Sequence, residues 1–167
     1  MKYKIIVETT YHCALEQAFK TPMLCDVSKV HTGHGLMPKV THCTEDENWG
    51  QPGSSKKVFV GKSPTFKGGE SSVDNVIERI ENKYWKIEIN NFKAPMFGFT
   101  KFEGEWETKE IKENTIAVTY TYTLYAGNFL LYPINWLIAR LFWKKYMKHV
   151  LENIRSMIQN NEPYLYP

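Results

Sequence analysis

Between residues 39 and 125 the chain keeps a two-residue rhythm, and from Pro133 to about Asn160 it switches to a helical one. Such a chain has few ways to bury its apolar side, because strands alternate side chains across a sheet while a helix repeats every three to four residues. The first region divides into about six strands: KVTHCTED (39–46), KKVFVGK (56–62), SSVDNVIERI (71–80), YWKIEINNF (84–92), Phe99–Thr108 and TIAVTYTYTLY (115–125). GQPGSS (50–55), KGGE (67–70), Asn82-Lys83 and Asn114 separate them, and Pro and Gly preset turn dihedrals. A further strand, YKIIVETTY (3–11), opens the chain. It leads into a short helix, ALEQAFK (14–20), ending near Pro22, and then an irregular stretch, 26–38, with one helical turn.

The strand faces sort themselves. Phe102, Gly104, Trp106 and Thr108 share one face with Thr100, opposite Lys101, Glu103, Glu105 and Glu107, the pattern of a half-buried antiparallel strand. Ile116, Val118, Tyr120, Tyr122 and Leu124 stand opposite a threonine row, and Ile5, Val7, Thr9 and Tyr11 share a face of the first strand. Residues 72–80 resist sorting. Val73, Asn75, Ile77 and Arg79 make one face, Asp74, Val76, Glu78 and Ile80 the other, so either choice turns a charge inward. In the helix, Ile134, Leu137, Ile138 and Leu141 begin the apolar stripe, which Met147, Val150, Ile154, Met157 and Ile158 continue. The simplest packing is an α+β architecture, an antiparallel sheet bent around the long C-terminal helix. A cavity between them would take apolar ligands.

Composition narrows the function. The 167 residues suit one domain, and 21 Lys+Arg against 18 Asp+Glu leave a net charge of +3, too little to imply nucleic-acid binding. Cys13, Cys25 and Cys43 are an odd set without CxxC spacing, and MKYKIIVETT lacks the apolar core of a secretory signal; both predict a cytoplasmic protein. No nucleophile elbow or phosphate loop appears. His31, His34, His42 and Cys43 lie close together, but HTGH spans a glycine loop, and His42 and Cys43 point to opposite strand faces. Neither a metal nor a cofactor is expected, while His34 could stand at a pocket mouth.

The order of elements and several local markers resemble the helix-grip fold of the START-like superfamily, which includes polyketide cyclases and dehydrases, lipid-transfer domains and plant pollen-allergen proteins. The markers are ALEQAF (14–19), Pro38-Lys39-Val40, the turn Gly50-Gln51-Pro52-Gly53-Ser54, the strand Glu103-Gly104-Glu105-Trp106 and the strand Asn114–Tyr120. The family often carries a Trp shortly before the Pro marker, where this chain has HTGHGLMP. The resemblance implies either a carrier or an enzyme that uses a few polar side chains in an apolar cavity.

The predicted ligand-binding set is Tyr11, Trp85, Phe102, Trp106, Tyr120 and Tyr122 on the sheet with Leu137 and Leu141 on the helix, and Arg79 or Arg140 pairing with an anionic ligand group. Buried tyrosines offer both an apolar ring and a hydroxyl that needs a partner. The 14% aromatic content fits a lined, partly hollow core better than a solid one. The expected partner is therefore a hydrophobic small molecule or lipid. For the enzyme reading, Asp74, Glu78, Arg79 and Glu88 are the charged residues on the fourth and fifth strands, and a buried acid would titrate nearer neutrality. FLLYPINWLIARLFW (129–143) is apolar nearly all round. It reads as a helix start buried by loops, or as an exposed patch covered by a second copy or an anionic membrane surface, with Arg140, Lys144, Lys145 and Lys148 meeting headgroups.

Overall fold

A computed structural model of the protein describes residues 1–94 and 96–167. Strand β1 (Lys2–His12) is followed by helices α1 (Leu15–Leu24) and α2 (Val27–Val30). Six strands come next: β2 (Val40–Thr44), β3 (Ser55–Val60), β4 (Gly69–Ile80), β5 (Tyr84–Asn90), β6 (Phe99–Lys112) and β7 (Thr115–Ala126). The chain then enters a continuous helical run of one 3₁₀ turn (Phe129–Leu131), α3 (Tyr132–Leu137), a π-helical stretch (Ile138–Trp143) and α4 (Lys144–Gln159). All strand pairs are antiparallel, and the single sheet of seven strands runs β1-β7-β6-β5-β4-β3-β2. The α+β expectation holds, with the helical run lying across one face of the sheet.

The alternation read from β1, β6 and β7 matches what is buried. Ile5, Val7, Tyr11, Phe102, Trp106, Ile116, Val118, Tyr120, Tyr122 and Leu124 all belong to the core. Along α4 the buried residues Tyr146, Met147, Val150, Leu151, Ile154, Met157 and Ile158 keep helical spacing.

Three departures carry physical reasons. Helix α1 runs past Pro22 to Leu24. Proline has no N–H, so the carbonyl four residues earlier loses its helical partner. That carbonyl is Ala18 O, and the Trp106 indole N–H donates to it instead at 3.2 Å. In β4 a bulge between Val76 and Glu78 shifts the register, so the strand turns Ser72, Asp74 and Val76 inward. Beyond it Arg79, not Glu78, lies against the body of the protein, its guanidinium 5.9 Å from the Phe19 ring. A bulge changes which face each residue serves, which strict alternation could not foresee. Lastly, the helix start buries Asn135, Ile138, Ala139 and Trp143, whereas Ile134, Leu137 and Leu141 are about half exposed. A segment apolar on every side gives periodicity nothing to select, and the wider π-helical turn rotates the face further.

Candidate functional site: a two-chambered cavity with a polar floor

The sheet and the helical run do not close on each other over β3–β5. A cavity of about 260 Å³ remains there. Its walls are mostly apolar, with Val58, Val60, Ile87 and Ile89 from the sheet and Trp143 from the π-helical stretch. Its rim comes from three loops, through Leu36 and Met37, Phe66, and Phe92 and Phe97. Deeper, a chamber of about 30 Å³ lies beneath α2 and α4, lined by Trp85, Trp106, Tyr120, Val150 and Ile154. A space of that size accepts about one water-sized group. His31, Asp74, Ile87 and Tyr122 line both chambers and so stand where they meet.

The polar residues are held from several directions. Asp26 caps α2, its carboxylate accepting from Ser28 N at 2.9 Å, and Asn153 of α4 donates to Val30 O at 2.9 Å. This fixes the end of α2, where His31 N donates to Val27 O at 2.9 Å. The His31 ring then points inward and shares a 2.6 Å hydrogen bond between Nδ1 and the Tyr146 hydroxyl. Asp74 sits directly across the strand pair from Lys56. Lys56 is only 3% exposed. Its ammonium rests 3.8 Å from the centre of the Trp49 ring, a cation–π contact made strong by burial.

Burial sets the charge states. It pushes the Asp74 carboxyl up to about 6, against the pull of the Lys56 charge. It pushes the His31 imidazole down to about 4, helped by Lys56. Both side chains keep some accessible surface, but that surface belongs to the cavity they line. Tyr120, Tyr122 and Tyr146 are all raised by burial, so their hydroxyls keep their protons and can donate. The floor thus combines a carboxyl able to gain or lose a proton near neutrality, a neutral imidazole, three phenols and an ammonium.

The predicted residues divide. Phe102 and Tyr122 line the outer cavity, and Trp85, Trp106, Tyr120 and Tyr122 line the inner chamber. Tyr11 stands apart, because its hydroxyl donates to Leu151 O at 2.9 Å and fastens β1 to α4. Arg79 also lies outside the cavity. It donates to Gly50 O at 3.0 Å and pairs with Glu81 at 2.9 Å. Gly50 has φ +94°, and a Cβ there would come within 2.5 Å of Leu24, so the Arg79 contact reads a backbone turn only glycine can make. Leu137 and Leu141 face outward, more than half exposed, and Arg140 borders a surface groove instead.

His31, Lys56, Trp143 and Tyr146 fell outside the predicted set. Alternation places Lys56 with Val58 and Val60 on the inner face of β3, and Trp143, Tyr146, Met147 and Val150 follow helical spacing, so three of the four were findable. His31 was not, because its direction depends on how α2 is anchored to α4.

No protein-family model and no curated protein matches the sequence. Solved structures do match in shape. A protein of unknown function from Staphylococcus aureus has a TM-score of 0.72 at 13% identity, with 96% of each chain covered. Ara h 8.0201 has a TM-score of 0.65 at 13% identity, covering 96% of this chain and 100% of its own. A point mutant of norcoclaurine synthase from Thalictrum, solved with a transition-state analogue, has a TM-score of 0.66 at 10% identity, with 96% of each chain covered. Element order, sheet topology and these likenesses agree, and the chain has a helix-grip fold.

Proposed function

We propose that the protein binds a hydrophobic small molecule with one polar end. The apolar body occupies the outer cavity, and the polar end reaches the floor formed by His31, Asp74, Tyr122 and Tyr146. The observation that carries this reading is the contrast within one cavity: an apolar wall of about 260 Å³ above a cluster of buried hydrogen-bonding groups. Pockets of this kind use apolar area for affinity and a few placed polar groups for orientation. The norcoclaurine synthase structure holds a small molecule on the same fold, which supports the reading in kind.

Organic extracts of the purified protein should contain a co-purified apolar compound, detected by mass spectrometry. Ser72→Phe supplies the control, since Ser72 is 6% exposed and lines the cavity. The added ring should fill the space and reduce binding of parinaric acid, a fluorescent fatty acid, by about tenfold or more, the scale of one lost buried apolar contact. Wild-type protein that neither carries a compound nor binds parinaric acid would overturn the reading.

A second reading, an enzyme of the cyclase or dehydrase type, is favoured by Asp74 specifically. A carboxyl held near 6 beside protonated phenols can, at neutral pH, give a proton to a ligand carbonyl oxygen or take one from the carbon beside it. The two readings separate on the extracted compound itself. A carrier returns it unchanged, whereas an enzyme converts it or its precursor and loses that activity in Asp74→Asn but not in Lys144→Gln.

A further inference from the structure

Among the described residues, large apolar side chains gather on the outside at the start of the C-terminal helical run. Phe129 and Leu130 are 74% and 72% exposed, and Tyr132, Ile134, Trp136, Leu137 and Leu141 are each roughly half exposed. A contiguous apolar surface of this kind marks an interaction site. The charge around it is one-sided. From Asn114 to Leu151 there is no Asp or Glu, while Arg140, Lys144, Lys145 and Lys148 follow the apolar residues along the outer side of the helix. Lys2 and Lys4 of β1 share a surface groove with Tyr132, Trp136 and Arg140. All six of these cations are exposed, and among the described residues none forms an ion pair. Eight other basic residues do.

Apolar side chains bordered by unpaired cations match the layered chemistry of an anionic bilayer, acyl chains beneath phosphate. A second copy of this chain would bring the same positive charges together and meet repulsion. No helix of the described residues is long and apolar enough to cross a membrane, so the segment would lie in the interface. The patch also adjoins the cavity mouth. Asn135 donates to Phe97 O at 3.1 Å, Gly98 packs against Leu131, and Gly35 packs against the Phe142 ring. Two of the three rim loops are therefore seated on the helix start itself.

We propose that residues 129–148 dock the protein on an anionic lipid surface, with the cavity mouth beside the bilayer. Docking stands on the exposed patch and its charges. That the cavity then takes its ligand from the bilayer rests on the binding reading above.

The test is sedimentation with phosphatidylcholine vesicles, with and without phosphatidylglycerol. Wild-type protein should pellet with the anionic vesicles and be released by salt. The variant carrying Lys144→Gln, Lys145→Gln and Lys148→Gln should bind about a hundredfold more weakly, each lysine near an anionic surface contributing about a factor of five. The variant carrying Phe129→Ser and Leu130→Ser should also lose binding, through its apolar half. Both should keep parinaric acid binding in vesicle-free buffer, because neither change touches the cavity wall. Failure of wild-type protein to pellet, equal pelleting with neutral vesicles, or triple-variant binding equal to wild type would overturn docking. So would a dimer that the Phe129 and Leu130 changes dissociate while vesicles go unbound. Any of these results alongside retained parinaric acid binding would remove docking and leave the binding reading standing.

Discussion

Replacing Trp106 by Ala should cost about 4 kcal/mol of stability and lower the melting temperature by roughly 10 °C. Trp106 is fully buried at the centre of the sheet. Its ring stacks on Trp85 at 5.9 Å and 8° and on Tyr11 at 6.4 Å, and meets Tyr120 edge-on at 5.2 Å. Truncation removes that contact area and opens a void continuous with the inner chamber. It also strands Ala18 O, the helix carbonyl that Pro22 leaves without a partner. Trp106→Phe separates the two contributions. It keeps most of the packing but not the N–H, so its loss should be smaller, with about 1 kcal/mol assigned to the hydrogen bond. Denaturant titration of both variants checks this, and equal losses for Phe and Ala would contradict the packing account.

Stability should depend on pH in a way that single substitutions uncover. The folded-state carboxyl of Asp74 is raised from 3.8 to about 6. The folded protein therefore holds that proton more tightly than the unfolded chain, and Asp74 lowers stability as pH rises through this window. Its cost is complete above about 6 and absent below 3.8. The His31 imidazole is lowered from 6.5 to about 4. There the unfolded chain takes the proton first, so His31 lowers stability as pH falls through its window and costs nothing above 6.5. The two slopes oppose each other across nearly the same range, each on the order of 3 kcal/mol in full. Asp74→Asn should raise stability at neutral pH and lose that advantage on acidification relative to wild type. His31→Gln should gain stability relative to wild type as pH falls. Melting temperatures across the acid-to-neutral range, plotted as differences from wild type, read both effects. Flat difference curves would place both side chains in contact with bulk water.

Much of the cavity was legible in the sequence because strands speak in alternation. Phe102, Trp106, Tyr120 and Tyr122 could be assigned to the inner face from their own neighbours, since a sheet covered on one side buries every second residue. Lys56 obeyed the same rule but reads at first as a surface charge. Its burial is tolerated because the Trp49 ring folds back from the preceding turn to cover the ammonium and Asp74 stands opposite it on β4. Arg79 and Asp74 share one strand, and the bulge between them decided which one entered the cavity.

The helix start was the opposite case. Where nearly every residue is apolar, hydrophobicity carries no direction, and Leu137 and Leu141 turned outward while Asn135 went in, because the Phe97 carbonyl was there to receive it. His31 likewise took its place from a cap and a bond to α4 rather than from its neighbours. The sequence by itself determined the order of elements, the switch from sheet to helix and the inner faces of the regular strands, because those follow from local periodicity. Tertiary structure alone decided where the hollow lies, which polar groups form its floor and which apolar side chains stay outside, because these depend on contacts between residues distant in the chain.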